Sequence, residues 1–195
     1  MLAAATLGLV LVPATSQAQV IDESFDAVSL PAGWTQEYVS GSSNWNRVTA
    51  NGNSTITPHS GAGMAEFRVN SYNGDATKLV TPSMDLTTLT SPQLSFFYAN
   101  VDWGGDIDEL RIFYKTSAGG SWVQIGTDIT TAHSSWTEVV LALPNATSDY
   151  YVAFEGTSGY GRGMDIDDVL IDEAPACPDP SALGATNFTT SGADP

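Results

Sequence analysis

Basic residues are scarce. Arg47, Arg68, Lys78, Arg111, Lys115 and Arg162 are the only six, against 22 Asp and Glu, and the formal net charge is −16. A chain so acidic repels the phosphate backbone of nucleic acids and the face of an anionic bilayer, which argues against both as partners. Cysteine is almost absent: Cys177 stands alone, so an intrachain disulfide and a Cys-ligated zinc site are excluded. The histidines, His59 and His133, lie near no nucleophile motif, and the sequence contains no Gly-x-Ser-x-Gly, His-Glu-x-x-His or phosphate loop. The chain therefore reads as a non-enzyme. Since six bases cannot pair 22 carboxylates, any acid forced into the interior needs a bound cation or a set of hydrogen-bond donors.

Long apolar runs are missing too. Residues 1–18 carry no charge, but the apolar stretch from Leu2 to Pro13 is too short to cross a bilayer. Ser16-Gln17-Ala18 places small residues where a signal peptidase reads, which predicts a signal peptide over 1–18 and a mature chain starting at Gln19. The expected location is secreted or cell-surface, with no membrane insertion.

From Gln19 onward no apolar pattern of helical period persists for three turns, whereas period-two alternation recurs between turn residues. The clearest predicted strands are 93–98, 109–115, 122–125, 137–141, 150–155 and 164–171. Weaker candidates are 24–25, 45–48, 63–69 and 78–80. About ten strands without a helix predict an all-β fold, a two-sheet antiparallel β-sandwich of jelly-roll type, over 19–173. Pro175, Pro178 and Pro180 then interrupt any regular element, so 174–195 reads as a linker leading into the first strand of a further domain. A monomeric module of a longer chain is the expected context.

Two groups of residues carry chemical interest. Loops on a rigid sandwich are where binding concentrates, and Trp34, Trp45, Trp103 and Tyr160 fall in or beside Gly-, Ser- and Asn-rich loops. Each Trp is either a ligand-stacking ring or a rim residue closing the sandwich. In the last strand, Asp165, Asp167 and Asp168 interrupt a run apolar on both faces. Neighbouring strand residues point to opposite faces, so at least one of these carboxylates is buried, with a cation or backbone N–H groups to satisfy it. A further acidic cluster, Asp102, Asp106, Asp108 and Glu109, surrounds Trp103-Gly104-Gly105 without EF-hand spacing and reads as a solvated loop.

Several motifs occur in a fixed order: Phe25-Asp26, Leu30-Pro31-Ala32-Gly33-Trp34, Lys78-Leu79-Val80-Thr81-Pro82, Tyr151-Val152-Ala153-Phe154 and Asp165-Ile166-Asp167-Asp168-Val169-Leu170-Ile171. In this order they resemble bacterial cleaved-adhesin and choice-of-anchor J domains, relatives of the MAM jelly rolls. Cys177 to Leu183 resembles the entry into a fibronectin type III domain. The resemblance implies an adhesion or binding module recognising an extracellular glycan or protein. The alternative is a structural spacer or accessory domain of a secreted peptidase. It also implies a structural calcium ion clamping the first strand to the last, with Glu23, Asp26, Asp167 and Asp168 as ligands and carbonyls near His59 to Gly61 completing the shell. Backbone N–H donation to Asp167 or Asp168 is the competing solution.

Overall fold

The computed structural model describes residues 19–70 and 74–176. The signal-peptide segment and the fibronectin-like segment after Ala176 lie outside the described residues. Among the described residues eleven strands build two antiparallel sheets. They are β1 (Gln19–Glu23), β2 (Thr35–Ser40), β3 (Trp45–Val48), β4 (Met64–Phe67), β5 (Ala76–Val80), β6 (Pro92–Asn100), β7 (Glu109–Lys115), β8 (Val123–Ile129), β9 (His133–Ala142), β10 (Tyr151–Thr157) and β11 (Met164–Glu173). No helix occurs among the described residues. One sheet runs β3-β4-β11-β6-β9 and adds β1 beside β11; the other runs β2-β5-β10-β7-β8. Among the described residues no helix is long and apolar enough to cross a membrane.

The core forms because alternation is strict where a strand has one wet face. In β7, Leu110, Ile112 and Tyr114 are buried while Glu109, Arg111, Phe113 and Lys115 are only partly covered. Phe67, Leu94, Phe96 and Ile166 from the first sheet meet Leu79, Leu110, Ile112 and Phe154 from the second. Phe96 and Phe154 contact edge to face, 5.1 Å between ring centres.

β11 is covered on both faces. Its outer side faces the segment between β3 and β4, whose Ile56 joins Met64 of β4 and Ala99 of β6 in a small second apolar cluster. That cover explains why Asp165 and Asp167 are both fully buried. A β-bulge interrupts the β11–β6 register between Asp167 and Leu170, with Asp168 in left-handed conformation at φ 46°.

β1 lies antiparallel to the C-terminal half of β11, from Gln19 opposite Asp172 to Glu23 opposite Val169. β4 pairs with the N-terminal half of β11, Asp165 facing Glu66. β1 ends at Glu23, short of the predicted 24–25 strand, because Phe25 turns to φ 53° and drives its ring into the core. β2 was not anticipated, since five of its six residues are exposed and no alternation marks it.

Candidate ligand-binding cleft

Two loops are fixed from beneath by buried carboxyls. Asp108 accepts N–H bonds from Gly159 (2.9 Å) and Gly161 (3.1 Å) on Oδ1 and from Gly163 (3.0 Å) on Oδ2. It is 1% exposed, so it anchors the 158–163 loop instead of sitting in a solvated acidic loop. A side chain at Gly159 would collide with the Ile107 carbonyl, so only glycine lets the chain pass this close. Burial raises the Asp108 pKa against the lowering effect of the three glycine N–H groups.

Across β11, Asp165 Oδ2 accepts Asn51 Nδ2 at 2.7 Å, and its partner across the ladder, Glu66, accepts Gly52 N at 3.0 Å. These bonds pin the 51–53 loop. Among the described residues Asp165 Oδ1 has no hydrogen-bond partner, and burial holds its pKa well above the usual carboxylate range.

Arg162 joins the loops. Its backbone N–H bonds Val101 O (2.9 Å), Nε bonds Asp102 O (3.1 Å), Nη1 bonds Asn53 O (2.7 Å), and the guanidinium lies 4.4 Å from the centre of the Trp103 ring. The base thereby covers one face of an indole that is otherwise 49% exposed. Beside it is a cleft of about 180 Å³ lined by Asn53, Val69, Asn70, Trp103, Tyr160 and Gly161. Tyr160 holds φ 69°, a left-handed conformation that costs a non-glycine residue on the order of 1 kcal/mol or more. Asn53 Nδ2 donates to Asn70 Oδ1 at 2.9 Å.

The structure thus brings together two of the four predicted contact residues, Trp103 and Tyr160. Trp45 is corrected: at 1% exposure it is a core residue, its Nε1 donating to Thr77 O at 2.8 Å and its ring 5.6 Å from Phe67. Trp34 is half-buried, packed on Phe25 (5.4 Å) and Phe154 (6.4 Å), and closes the rim elsewhere. Asn53, Asn70 and Arg162 escaped the sequence reading as cleft residues, and Asp108, read there as part of a solvated loop, is a buried anchor. The glycine spacing at 159, 161 and 163 is a signal that could have flagged the loop Asp108 anchors.

Three of the four predicted metal ligands, Asp26, Asp167 and Asp168, bond to the segment 59–63 and Glu23 bonds elsewhere. Asp167 accepts backbone N–H from His59 (2.8 Å), Ser60 (3.3 Å) and Asp168 (2.8 Å), and burial pushes its pKa up to about 6. Asp168 takes His59 Nδ1 and Ser60 Oγ, both at 2.6 Å. Asp26 accepts Ala62 N, which with Ser24 Oγ–H lowers its pKa, and Glu23 bonds Phe25 N at 2.6 Å. Gly61, at φ 58°, leaves the space that the Asp26 carboxylate fills. Among the described residues no group of three or more His, Cys, Asp or Glu converges as a metal site. A cation of another kind is present: Arg47 donates to Phe25 O (3.0 Å), Asp26 O (3.3 Å) and Ala62 O (2.9 Å). As placed, these carboxylates meet N–H and O–H donors, and the nearby carbonyls meet a guanidinium, so the set does not fit a calcium shell, which is built from oxygens.

Residues 24–178 match the family profile described as MAM domain, meprin/A5/mu. No curated protein matches. Among solved structures, the K3 cleaved adhesin domain of Lys-gingipain from Porphyromonas gingivalis is similar at 21% identity and TM-score 0.63, covering 80% of this chain and 100% of that one. The K2 cleaved adhesin domain of Lys-gingipain matches at 18% identity and TM-score 0.61, covering 78% and 98%. The CBM22-1 xylan-binding domain of Paenibacillus barcinonensis Xyn10C matches at 12% identity and TM-score 0.54, covering 85% and 100%. At these identities the structural likeness establishes the shared sandwich.

Proposed function

The chain belongs to the MAM domain family, and on that premise we propose that it is a non-catalytic, extracellular binding module whose ligand enters the Trp103–Tyr160 cleft. The observation that carries this reading is Trp103. A ring this large is left half exposed, yet it is held flat by Arg162, beside a strained Tyr160 and two side-chain amides. Strain and exposed aromatic surface concentrated in one cleft is what a recognition site requires and what a spacer lacks. The relatives by fold include adhesin domains and a xylan-binding domain, which supports a glycan or protein as the ligand.

The acids support the same division of labour. Asp108, Asp165 and Glu66 sit beneath the cleft, bonded to backbone or to Asn51, and serve as anchors of its loops rather than as an acid–base pair. We further propose that the clasp between the 59–63 segment, the end of β1 and the bulge of β11 closes without metal, on protein donors and Arg47. The binding reading is tested by probing glycan and peptide arrays with the full chain and with Trp103→Ala. A ligand that the wild type retains and the variant loses supports it. Identical profiles, or none, would leave the spacer function in possession.

A further inference from the structure

We propose that the cleft takes a single neutral pyranose ring presented at the end of a glycan chain. This rests on the reading of the cleft as the ligand site and adds the chemistry of the ligand to it.

Size comes first. The cleft holds about 180 Å³, well below the roughly 300–1,000 Å³ of sites for drug-sized molecules. One six-membered ring fills it and a second has no place. Among the described residues its walls come from four separate chain segments, at 53, 69–70, 103 and 160–161, so that a ring enters end-on instead of lying along a groove.

The polar groups fit vicinal hydroxyls. Asn53 spends an N–H on the Asn70 carbonyl, which also receives Arg68 Nη1 at 3.4 Å. Asn70 Nδ2 and Asn53 Oδ1 make no bond within the described residues. Among the described residues the amide–amide bond thus leaves one acceptor and one donor group side by side. Two hydroxyls on adjacent ring carbons can each donate and accept, and match this pair in either sense. Trp103, backed on one face by Arg162, offers its other face to the ring's axial C–H bonds, with Val69 as the remaining apolar wall.

Charge excludes acidic sugars. Arg162 is engaged by Asn53 O, Asp102 O and the indole, and Arg68 pairs with Glu66 at 3.3 Å, so both nearby bases are already used. Asp102 is exposed beside Trp103. A carboxylate or sulfate on the ring would enter a negative field with no cation to receive it.

One stacked ring with two or three hydrogen bonds sets a dissociation constant on the order of 1 mM. The test titrates the full chain with methyl β-D-glucopyranoside, methyl β-D-galactopyranoside, methyl α-D-mannopyranoside and methyl β-D-xylopyranoside, with glucuronic and galacturonic acids, and with an oligosaccharide ladder. The readout is the Trp103 indole and Asn70 amide resonances. At least one neutral glycoside shifts both signals with millimolar affinity, binding falls tenfold or more in Trp103→Ala and in Asn70→Ala, and affinity does not grow with chain length. Uronic acids binding as tightly as neutral rings, affinity rising along the ladder, or no response to any glycoside overturns the proposal. If a peptide on the array still binds and depends on Trp103, the wider binding function stands and only the sugar is refuted. If nothing depends on Trp103, both fail.

Discussion

Replacing Arg47 by Ala tests how the first and last strands are held together. The side chain makes three charge-assisted bonds to carbonyls, one partly buried and two at the surface. A partly buried bond of this kind contributes about 1.5–3 kcal/mol and an exposed one well under 1, so the loss is about 2–3 kcal/mol. For a domain of this size each kcal/mol moves the melting temperature by roughly 2–4 °C, which puts the variant some 5–10 °C below wild type. The assay is differential scanning calorimetry on EDTA-treated wild type and Arg47→Ala, each with and without millimolar calcium. The wild type should melt within a degree of itself in both buffers. Were a calcium ion the true clasp, a hundredfold excess over its Kd would add about 2.7 kcal/mol and raise the wild-type midpoint by a comparable 5–10 °C. A calcium-dependent rise of that size, abolished by Asp167→Ala or Asp168→Ala, would refute the metal-free clasp, as would an Arg47→Ala protein as stable as wild type.

Three further outcomes follow from buried groups. Trp45→Ala should cost about 3–5 kcal/mol by chemical denaturation while leaving ligand contacts at Trp103 unchanged in any protein that still folds, because the ring is core. Asp165 and Asp167 both have raised pKa values in the folded state, so the folded protein holds more protons than the unfolded chain. Their stabilising contribution is complete below the unfolded carboxylate value near 3.8 and is lost as pH rises, through about 6 for Asp167, with burial of Asp165 acting in the same direction. Calorimetry should show the melting point falling over that window, with a shallower fall in Asp165→Asn; an unchanged slope contradicts the assignment. Lys78 and Glu155 form an ion pair buried on the outer face of the second sheet, with Arg111 Nη1 3.4 Å from the other Glu155 oxygen; Lys78→Met alone, which leaves Glu155 only that longer contact, should destabilise by about 3 kcal/mol, and Lys78→Met with Glu155→Leu by less. Equal losses in the single and double variants would count against that pairing.

Strands with one wet face were legible because alternation is a direct imprint of burial. Glu109–Lys115 and Trp45–Val48 match the observed elements end for end. β2 was illegible for the opposite reason: an edge strand with little to bury leaves no period in the sequence. The buried last-strand carboxylates were foreseen from the same alternation rule, but their partners were not, since His59 and Ser60 lie 108 and 107 residues from Asp167 in the chain. Trp45 misled because Ser and Asn flank it, and only its depth against Phe67 and Thr77 reveals a core ring. Asn53 and Asn70 carry no local mark at all; their meaning arises when Arg162 draws separate loops together.

The pairing of β1 with β11 also has a mechanical side. Gln19 and Asp172 stand opposite each other, so a chain continuing beyond both ends enters and leaves at one pole, while the cleft flanks the start of β11 at the other. With ten residues in β11, the two poles are roughly 30 Å apart. Tension applied across both ends would peel β1 from β11 one bond at a time, a weak, zipper-like mode. Tension between the C-terminal end and a captured ligand instead runs along β11, whose flanking ladders to β6, β4 and β1 must then slide together. The same domain is thus easily opened by a pull from within its own chain and resists a pull from what it holds.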